Sequence, residues 1–282
     1  MGSAVGKFLA EGGFDVISSL DGRSEFTKTR ARDCGIRDVG SIGNAVAAAD
    51  LVLSILDPAR AEEIATAVAD EMKKAGKQIV FADCNAISPA TASKLDAIIG
   101  DAGGIFVDVG IIGGAPTRKE NFPNFCTSGP QADLLLPLDG KGVNILKVGE
   151  EIGAGSAIKI CNGAWNKGAF ALYTAVMMAA EHYGFTQILR ERLPGSQAGT
   201  VDKLDEAINR LPSLSGRYIG EMEQVAETFA SIGMPDGFHL ASAELFRMLN
   251  ATSLATERRE QIPPDRTPLD VLKIVVGEID GH

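Results

Sequence analysis

The chain has 282 residues, enough for one large domain or two ordinary ones, and its 45% apolar and 23% charged residues exclude a disordered or fibrous protein. A formal net charge of −10 makes phosphate backbones and anionic membranes poor partners, so neither nucleic acid nor a membrane is expected, while a local basic pocket could still hold a small anion. Cys34, Cys84, Cys126 and Cys161 form no knuckle or CxxC pair and fit a reducing compartment; of the three histidines a metal or catalytic site would have to use His182 or His239, and neither has ligand-like neighbours, so no metal site is expected.

Met1–Gly13 has no basic region followed by a long apolar stretch, and the longest apolar segment, Gly168–Ala180, is too short to span a bilayer. The expected location is the cytosol.

In chain order, Ser3–Glu11 reads as a helix with Val5, Phe8 and Leu9 on one face, stopped by Gly12-Gly13. Phe14–Ser18 reads as a strand and residues 25–33 as a polar helix. Leu51–Leu56 reads as a buried strand ended by Asp57-Pro58, and Ala61–Lys74 as an amphipathic helix. Gln78–Ala82 is another strand, and Pro89 sits where a helix can start and run through Ala90–Ile99. Gly104–Val109 is again strand-like. Near-continuous apolar strands alternating with helices predict a parallel sheet covered on both faces.

After about Gly155 the pattern changes. Ala157–Tyr183 reads as one long, largely apolar helix, followed by helices over Val201–Arg210, Gly220–Ile232 and Phe238–Leu249 and an apolar finish at Leu269–Val276. Gly233-Met234-Pro235 is a break. The expected organisation is an α/β domain over 1–154 and an all-helical domain over 155–282. The long helix is apolar on more than one face, through Ile158, Ala164, Trp165, Phe170, Leu172, Val176, Met177 and Met178, which predicts burial of those faces in a homodimer.

Five segments carry candidate chemistry. Gly2-Ser3-Ala4-Val5 opens a helix before a strand, and a helix N-terminus holds a pyrophosphate through its N–H groups and dipole; by itself the segment reads more simply as a plain N-terminal helix. Gly22-Arg23-Ser24 follows the second-strand candidate, where a planar guanidinium fork suits a 2′-phosphate; Asp21 nearby keeps a free 2′-hydroxyl open, and a solvated loop is the plain alternative. Asp83–Pro89 follows a strand, and Asn85 offers a donor and an acceptor there, or serves a turn and helix cap. Val107–Gly114 ends a strand with adjacent glycines, Gly113 and Gly114, whose N–H groups can approach a carboxylate, or simply make a tight turn.

The fifth segment is Gly153–Asn162. Lys159 lies among apolar and small residues, and a partly buried amine has a lowered pKa suited to proton transfer near neutrality. Asn162 follows one helical turn later, and Lys167 two turns beyond Lys159. A snorkelling lysine at a domain junction is the plain alternative.

Taken together these segments resemble the 3-hydroxyisobutyrate and 6-phosphogluconate dehydrogenase superfamily, in the subgroup with a phosphogluconate-dehydrogenase-like C-terminal domain. Met1-Gly2 is similar to the close of its glycine-rich turn, and Gly22-Arg23-Ser24 to its Asn-Arg-Thr segment at the adenosine phosphate. Leu56-Asp57-Pro58 resembles its cofactor loop, Asp83–Pro89 its segment near the nicotinamide, and Phe106–Gly114 its substrate loop. Val148–Asn162 resembles its Val-Gly-x-x-Gly-x-Gly-x-x-x-Lys-x-x-Asn segment, the most specific match.

The resemblance implies a Rossmann-type, mostly parallel sheet, here without its first strand, followed by the helical domain. It implies hydride transfer between NAD(P) and a hydroxyl-bearing carbon of a small-molecule substrate. Lys159 would be the general acid and base; Met1, Gly2, Arg23, Ser24, Leu56, Asp57 and Asn85 would hold the cofactor, NADP by preference with NAD open; Ile112, Gly113, Gly114, Asn162 and Lys167 would meet the substrate. Two positions depart from the pattern: Ile112 replaces a usual Ser, and Gly163 replaces an Asn, so the substrate need not be hydroxyisobutyrate or phosphogluconate. Imine-reducing relatives commonly lack the lysine, so Lys159 favours alcohol–carbonyl chemistry. The competing readings are an imine reductase-like enzyme and a non-catalytic, dimeric ligand-binding protein.

Overall fold

The structure, a computed structural model, describes residues 1–192, 195, 198–258 and 261–280. It divides into two compact units, residues 1–160 and 161–282.

The first unit is built on α1 (Gly2–Glu11), β1 (Ile17–Ser18), α2 (Glu25–Asp33), β2 (Arg37–Asp38), α3 (Ile42–Ala48), β3 (Leu51–Ser54), α4 (Ala61–Ala75), β4 (Val80–Asp83), α5 (Pro89–Gly100), β5 (Ile105–Ile112), β6 (Asn124–Ser128) and β7 (Asn144–Gly149). It is a mostly parallel, Rossmann-like sheet. Five strands lie in the order β3-β4-β5-β6-β7, parallel except for the antiparallel β5–β6 pair. A separate parallel pair, β1–β2, has no strand hydrogen bonds to β3.

Alternation along the strands explains why both faces are buried. Phe81 and Phe106 point to one side, into a core with Val68, Met72, Leu95 and Ile99 from α4 and α5. Ala82 and Val107 point to the other, into a core with Val5 and Leu9 of α1 and Phe125 of β6. Local signals set the helix ends. Ser88 caps α5 by accepting from the Thr91 N–H at 3.1 Å, with Pro89 in the first turn. α4 carries Glu62 and Glu63 in its first turn and Lys73 and Lys74 in its last, and closes on Gly76 at φ +60°, a backbone shape that costs glycine little.

Helix α6 (Ala154–His182) begins in the first unit and continues into the second, which adds α7 (Thr186–Arg192), α8 (Ala198–Ile208), α9 (Leu211–Ser231), α10 (Gly237–Asn250) and α11 (Pro268–Asp280). Their core gathers Tyr173 and Met177 of α6, Ile208 of α8, Leu211 and Met222 of α9, Phe246 and Leu249 of α10, and Val271 and Val275 of α11. Fully burying such side chains is worth about 1.5–3 kcal/mol each. No helix among the described residues is long and apolar enough to cross a membrane.

Several expectations need correction. The strand expected over residues 14–18 narrows to Ile17–Ser18, and β5 runs three residues past Val109. The helix expected from Ala157 starts at Ala154, so Gly155 lies inside it, and the helix expected from Gly220 starts at Leu211, with Pro212 tolerated in its first turn. The sequence pattern does not mark the short elements β2, β6 and β7 or the helices α3 and α7. β6 carries Asn124, Thr127 and Ser128 and lacks an apolar run, and α3 has seven residues including Gly43 and Asn44.

Candidate active site

Four neighbouring strands carry an unusual row. Register pairs Ser54 with Asp83, Asp83 with Asp108, and Asp108 with Ser128, so four polar residues stand side by side across β3, β4, β5 and β6. All four are buried. Buried polar groups need partners, and this row has them.

On the β3–β4 side the partner is Asn85. Its backbone N–H and its Nδ2 donate to Asp83 at 3.0 and 2.7 Å, Nδ2 also donates to Ser54 at 3.0 Å, and Oδ1 accepts from the Leu56 N–H at 2.6 Å. Asn85 therefore ties the loop after β3 to the end of β4. Burial pushes the Asp83 carboxyl up to about 6, and the charge of Asp108 adds to that, while the bonds from Asn85 and Ser54 oppose it. The neighbouring Cys84 thiol is pushed up for the same reason, burial first and then the two carboxylates.

On the β5–β6 side the partner is α6. Asp108 Oδ2 accepts from Ser128 Oγ at 2.9 Å, Gly153 N at 3.1 Å and Ser156 N at 2.9 Å, and Oδ1 accepts from Ser156 Oγ at 2.5 Å. Ser128 Oγ in turn accepts from the Gly155 N–H at 2.9 Å. The helix start lies directly on the sheet backbone. A Cβ on Gly110 would fall inside the Gly155 carbonyl oxygen, and one on Gly155 inside the Cys126 carbonyl oxygen. Glycine at both positions is what permits this approach.

Lys159 follows on α6, one turn beyond Gly155. Its Cβ would be 3.0 Å from a Cβ on Gly110, so the lysine stem rises over β5. It is half-buried. Burial raises the Cys126 thiol pKa, and the positive charge of Lys159 pulls against that, which puts the amine near β6 as well.

Other residues singled out in the sequence take these places. A Cβ on Gly2 would lie 3.6 Å from Cβ and O of Ile55, so the α1 N-terminus and Met1 adjoin the loop of Leu56 and Asp57. Asp57 caps a short 3-10 turn, accepting from the Ala59 N–H at 3.1 Å. Arg23 is exposed, and Ser24 caps α2 through the Thr27 N–H at 3.3 Å. Ile112 ends β5; Gly113, at φ +120°, and Gly114 are exposed just beyond it. In the second unit, Asn162 accepts from Asn166 Nδ2 through its backbone oxygen at 2.8 Å and Oδ1 at 3.0 Å. Lys167 is paired with Glu221 at 2.8 Å and stands 5.2 Å from the Tyr218 ring centre.

Thus Met1, Gly2, Leu56, Asp57 and Asn85 form one group in the first unit, and Lys159 stands over β5. Arg23 and Ser24 lie at the start of α2. Three participants, Ser54, Ser128 and Ser156, carry no mark in the sequence that singles them out. Ser54 sits within an apolar run, Ser128 in a strand without one, and Ser156 is a small residue in a glycine-rich segment. The only indirect sequence signal is the placement of Asp108 within an otherwise apolar run.

Comparison with known proteins gives a consistent picture. Residues 1–135 match the NAD binding domain of 6-phosphogluconate dehydrogenase, and residues 180–249 match a domain of unknown function, DUF1932. An uncharacterized 28.5 kDa protein of Methanothermus fervidus is 31% identical over 181 residues, which cover 64% of this chain and 67% of the relative. A conserved protein of unknown function whose structure is similar to 3-hydroxyacid dehydrogenases is 27% identical, with a TM-score of 0.66 over 88% of this chain and 92% of that one. The fold also matches Mycobacterium tuberculosis 3-hydroxyisobutyrate dehydrogenase with L-serine, at a TM-score of 0.71 and 19% identity over 99% of this chain and 95% of the other.

Proposed function

The chain belongs to the 6-phosphogluconate and 3-hydroxyisobutyrate dehydrogenase-like family, and from that premise we propose that it is an NAD(P)-dependent oxidoreductase acting on a small hydroxyacid or a related alcohol or carbonyl, with Lys159 as the proton-transfer group. The observation that supports this reading most is the placement of Lys159 over β5, on a helix start fastened to Asp108, which is level with the C-terminal ends of β3 and β4. Ligands of open α/β sheets bind at such ends.

The residues present suit a dinucleotide. The N-terminus of α1, with Met1 and Gly2, adjoins the Leu56–Asp57 loop, and helix N–H groups with their dipole favour a pyrophosphate. Asn85 keeps that loop in place. Arg23 and Ser24 are the proposed contacts to a 2′-phosphate, which makes NADP the preferred cofactor over NAD. A bound nicotinamide would supply or accept the hydride.

During oxidation Lys159, as a neutral amine, takes the hydroxyl proton of the substrate; during reduction the ammonium returns it to the carbonyl oxygen. The exposed Gly113 and Gly114 offer backbone N–H groups to a substrate carboxylate, and Ile112 adds an apolar contact. In the second unit the charge of Lys167 is already balanced by Glu221. The working form is a homodimer located in the cytosol.

A second reading, a dimeric ligand-binding protein without turnover, is favoured by one observation: β1 and β2 form their own sheet, so strand hydrogen bonds do not link the Arg23 side to β3. The test is a panel of small hydroxyacids, aldehydes and cyclic imines, each with both cofactors, followed by nicotinamide absorbance. Turnover of a hydroxyacid supports the dehydrogenase. Turnover of imines alone would replace it with an imine reductase. Ligand binding without turnover would support the second reading.

A further inference from the structure

The proposed reaction gives no task to Asp108, yet this carboxylate has no solvent exposure and accepts four hydrogen bonds. Burying a charge is costly unless its environment compensates it. A helix start needs only a local Ser, Thr or Asn cap. Here the acceptor comes from 45 and 48 residues away in sequence and binds the N–H groups of Gly153 and Ser156 from strand β5. Such a bond does not merely close the helix end; it fastens the helix to the sheet.

We infer that Asp108 is the positioning residue of the Lys159 site: its buried carboxylate clamps the first turn of α6 onto β5 and β6 and thereby sets where the Lys159 amine stands. The role deepens the proposed function and rests on it for its catalytic meaning. Ser156 lies three residues before Lys159, so a shift of the clamped turn moves the lysine with it. Gly110 and Gly155 are in backbone contact beside the clamp, which leaves little room for slack. The carboxylate also compensates the positive end of α6, just below the amine. The titratable groups around the clamp are Asp83 on β4, the buried Cys84 thiol, and Cys126 on β6, which feels the charge of Lys159.

The test compares wild type, Asp108→Asn and Ser128→Ala. Lysine amines are reductively methylated with 13C, and the Lys159 signal is assigned by its loss in Lys159→Gln. Asp108→Asn removes a negative charge and uncovers the helix end, so the Lys159 titration should move down by about one pH unit. Ser128→Ala keeps the charge and should leave that titration within a few tenths of a unit. On whichever substrate the panel identifies, Asp108→Asn should lower kcat by about 10²-fold, the scale of a 1 Å misplacement, with the cofactor Kd unchanged. Its pH–rate limb should shift with the amine.

A folded Asp108→Asn with a wild-type Lys159 titration and wild-type kcat would overturn the inference. If Asp108→Asn does not fold, amide exchange in Ser128→Ala decides. Residues 155–160 should then exchange about tenfold faster relative to the rest of the first unit, and equal exchange would overturn the clamp. If Lys159→Ala keeps full turnover, the proposed function fails, while the titration and exchange arms still report on the clamp.

Discussion

Asp83 and Asp108 are register partners, the one ending β4 and the other in the middle of β5, two buried carboxylates side by side, 1% and 0% exposed. Desolvation first, and the neighbouring charge second, raise Asp83 from an ordinary 3.8 to about 6. A folded pKa raised above the unfolded one favours the protonated native state. That stabilisation is fully present below pH 3.8 and is lost as pH rises through about 6. The stability of wild type relative to Asp83→Asn should therefore fall between pH 4 and pH 6, by at most about 3 kcal/mol, and then level off. Urea unfolding of both proteins across that range measures it; a difference that stays flat contradicts the Asp83 assignment.

Asn85 is the strut beneath the proposed cofactor loop. Asn85→Ala leaves the Leu56 N–H without its acceptor and exposes the Asp83–Ser54 pair to loss of partners. We expect a cost of about 1–3 kcal/mol in stability. Affinity for both nicotinamide cofactors should fall by a similar factor, because the strut acts through the loop rather than at the 2′ position. Fluorescence titration with each cofactor checks this, and a change in one affinity alone would show a direct contact instead.

Two glycines of β5 and its loop should behave oppositely. At Gly110 a methyl group meets the Gly155 carbonyl, whereas at Gly114 nothing lies within 4 Å. Gly110→Ala should cost about 3 kcal/mol or more, since backbone must move to accommodate it. Gly114→Ala should change stability by less than about 0.5 kcal/mol. Thermal unfolding of both variants distinguishes them, and similar costs would show that α6 does not press on β5.

Arg23→Ala should reduce preference for NADP over NAD by about tenfold, a loss of about 1.4 kcal/mol at the 2′-phosphate. Competitive titration of both cofactors measures the ratio. An unchanged ratio would remove Arg23 from the cofactor site.

In the second unit, Trp165 and Leu172 lie two turns apart on α6 and are 76% and 69% exposed, with Val176 one turn further. An apolar stripe of this kind is out of place on a monomer surface. Sedimentation at micromolar concentration should give a dimer, and Trp165→Asp should give a folded monomer. A wild-type monomer would refute the proposed assembly.

Much of this was written in the chain and some was not. α4 announced itself through a full amphipathic stripe with acidic start, basic end and a glycine stop. β3, β4 and β5 were legible as apolar runs because both of their faces are buried. β6 was not, since Thr127 and Ser128 break the run, and it is Ser128 that meets Asp108. Lys159 stood out because a lone cation follows a glycine-rich turn. The glycines were readable as a turn, but their deeper role, bringing the α6 backbone against Gly110 and Cys126, is a tertiary contact that no local pattern encodes. The sequence leaves Asn85 open as a ligand donor or a turn cap; its side chain turns inward to Asp83, Ser54 and Leu56.

The most direct test of the central claim is the turnover number and cofactor dissociation constant of wild type, Lys159→Ala and Lys159→Arg on the substrate the panel identifies. Proton transfer by one placed group is worth roughly 10²–10⁴-fold, so Lys159→Ala should lose turnover by that factor while binding cofactor as wild type does. Lys159→Arg should not recover it, because a guanidinium keeps its proton near neutral pH. Near-normal turnover in Lys159→Ala would contradict the account and move the proton-transfer role to another residue, Lys167 first.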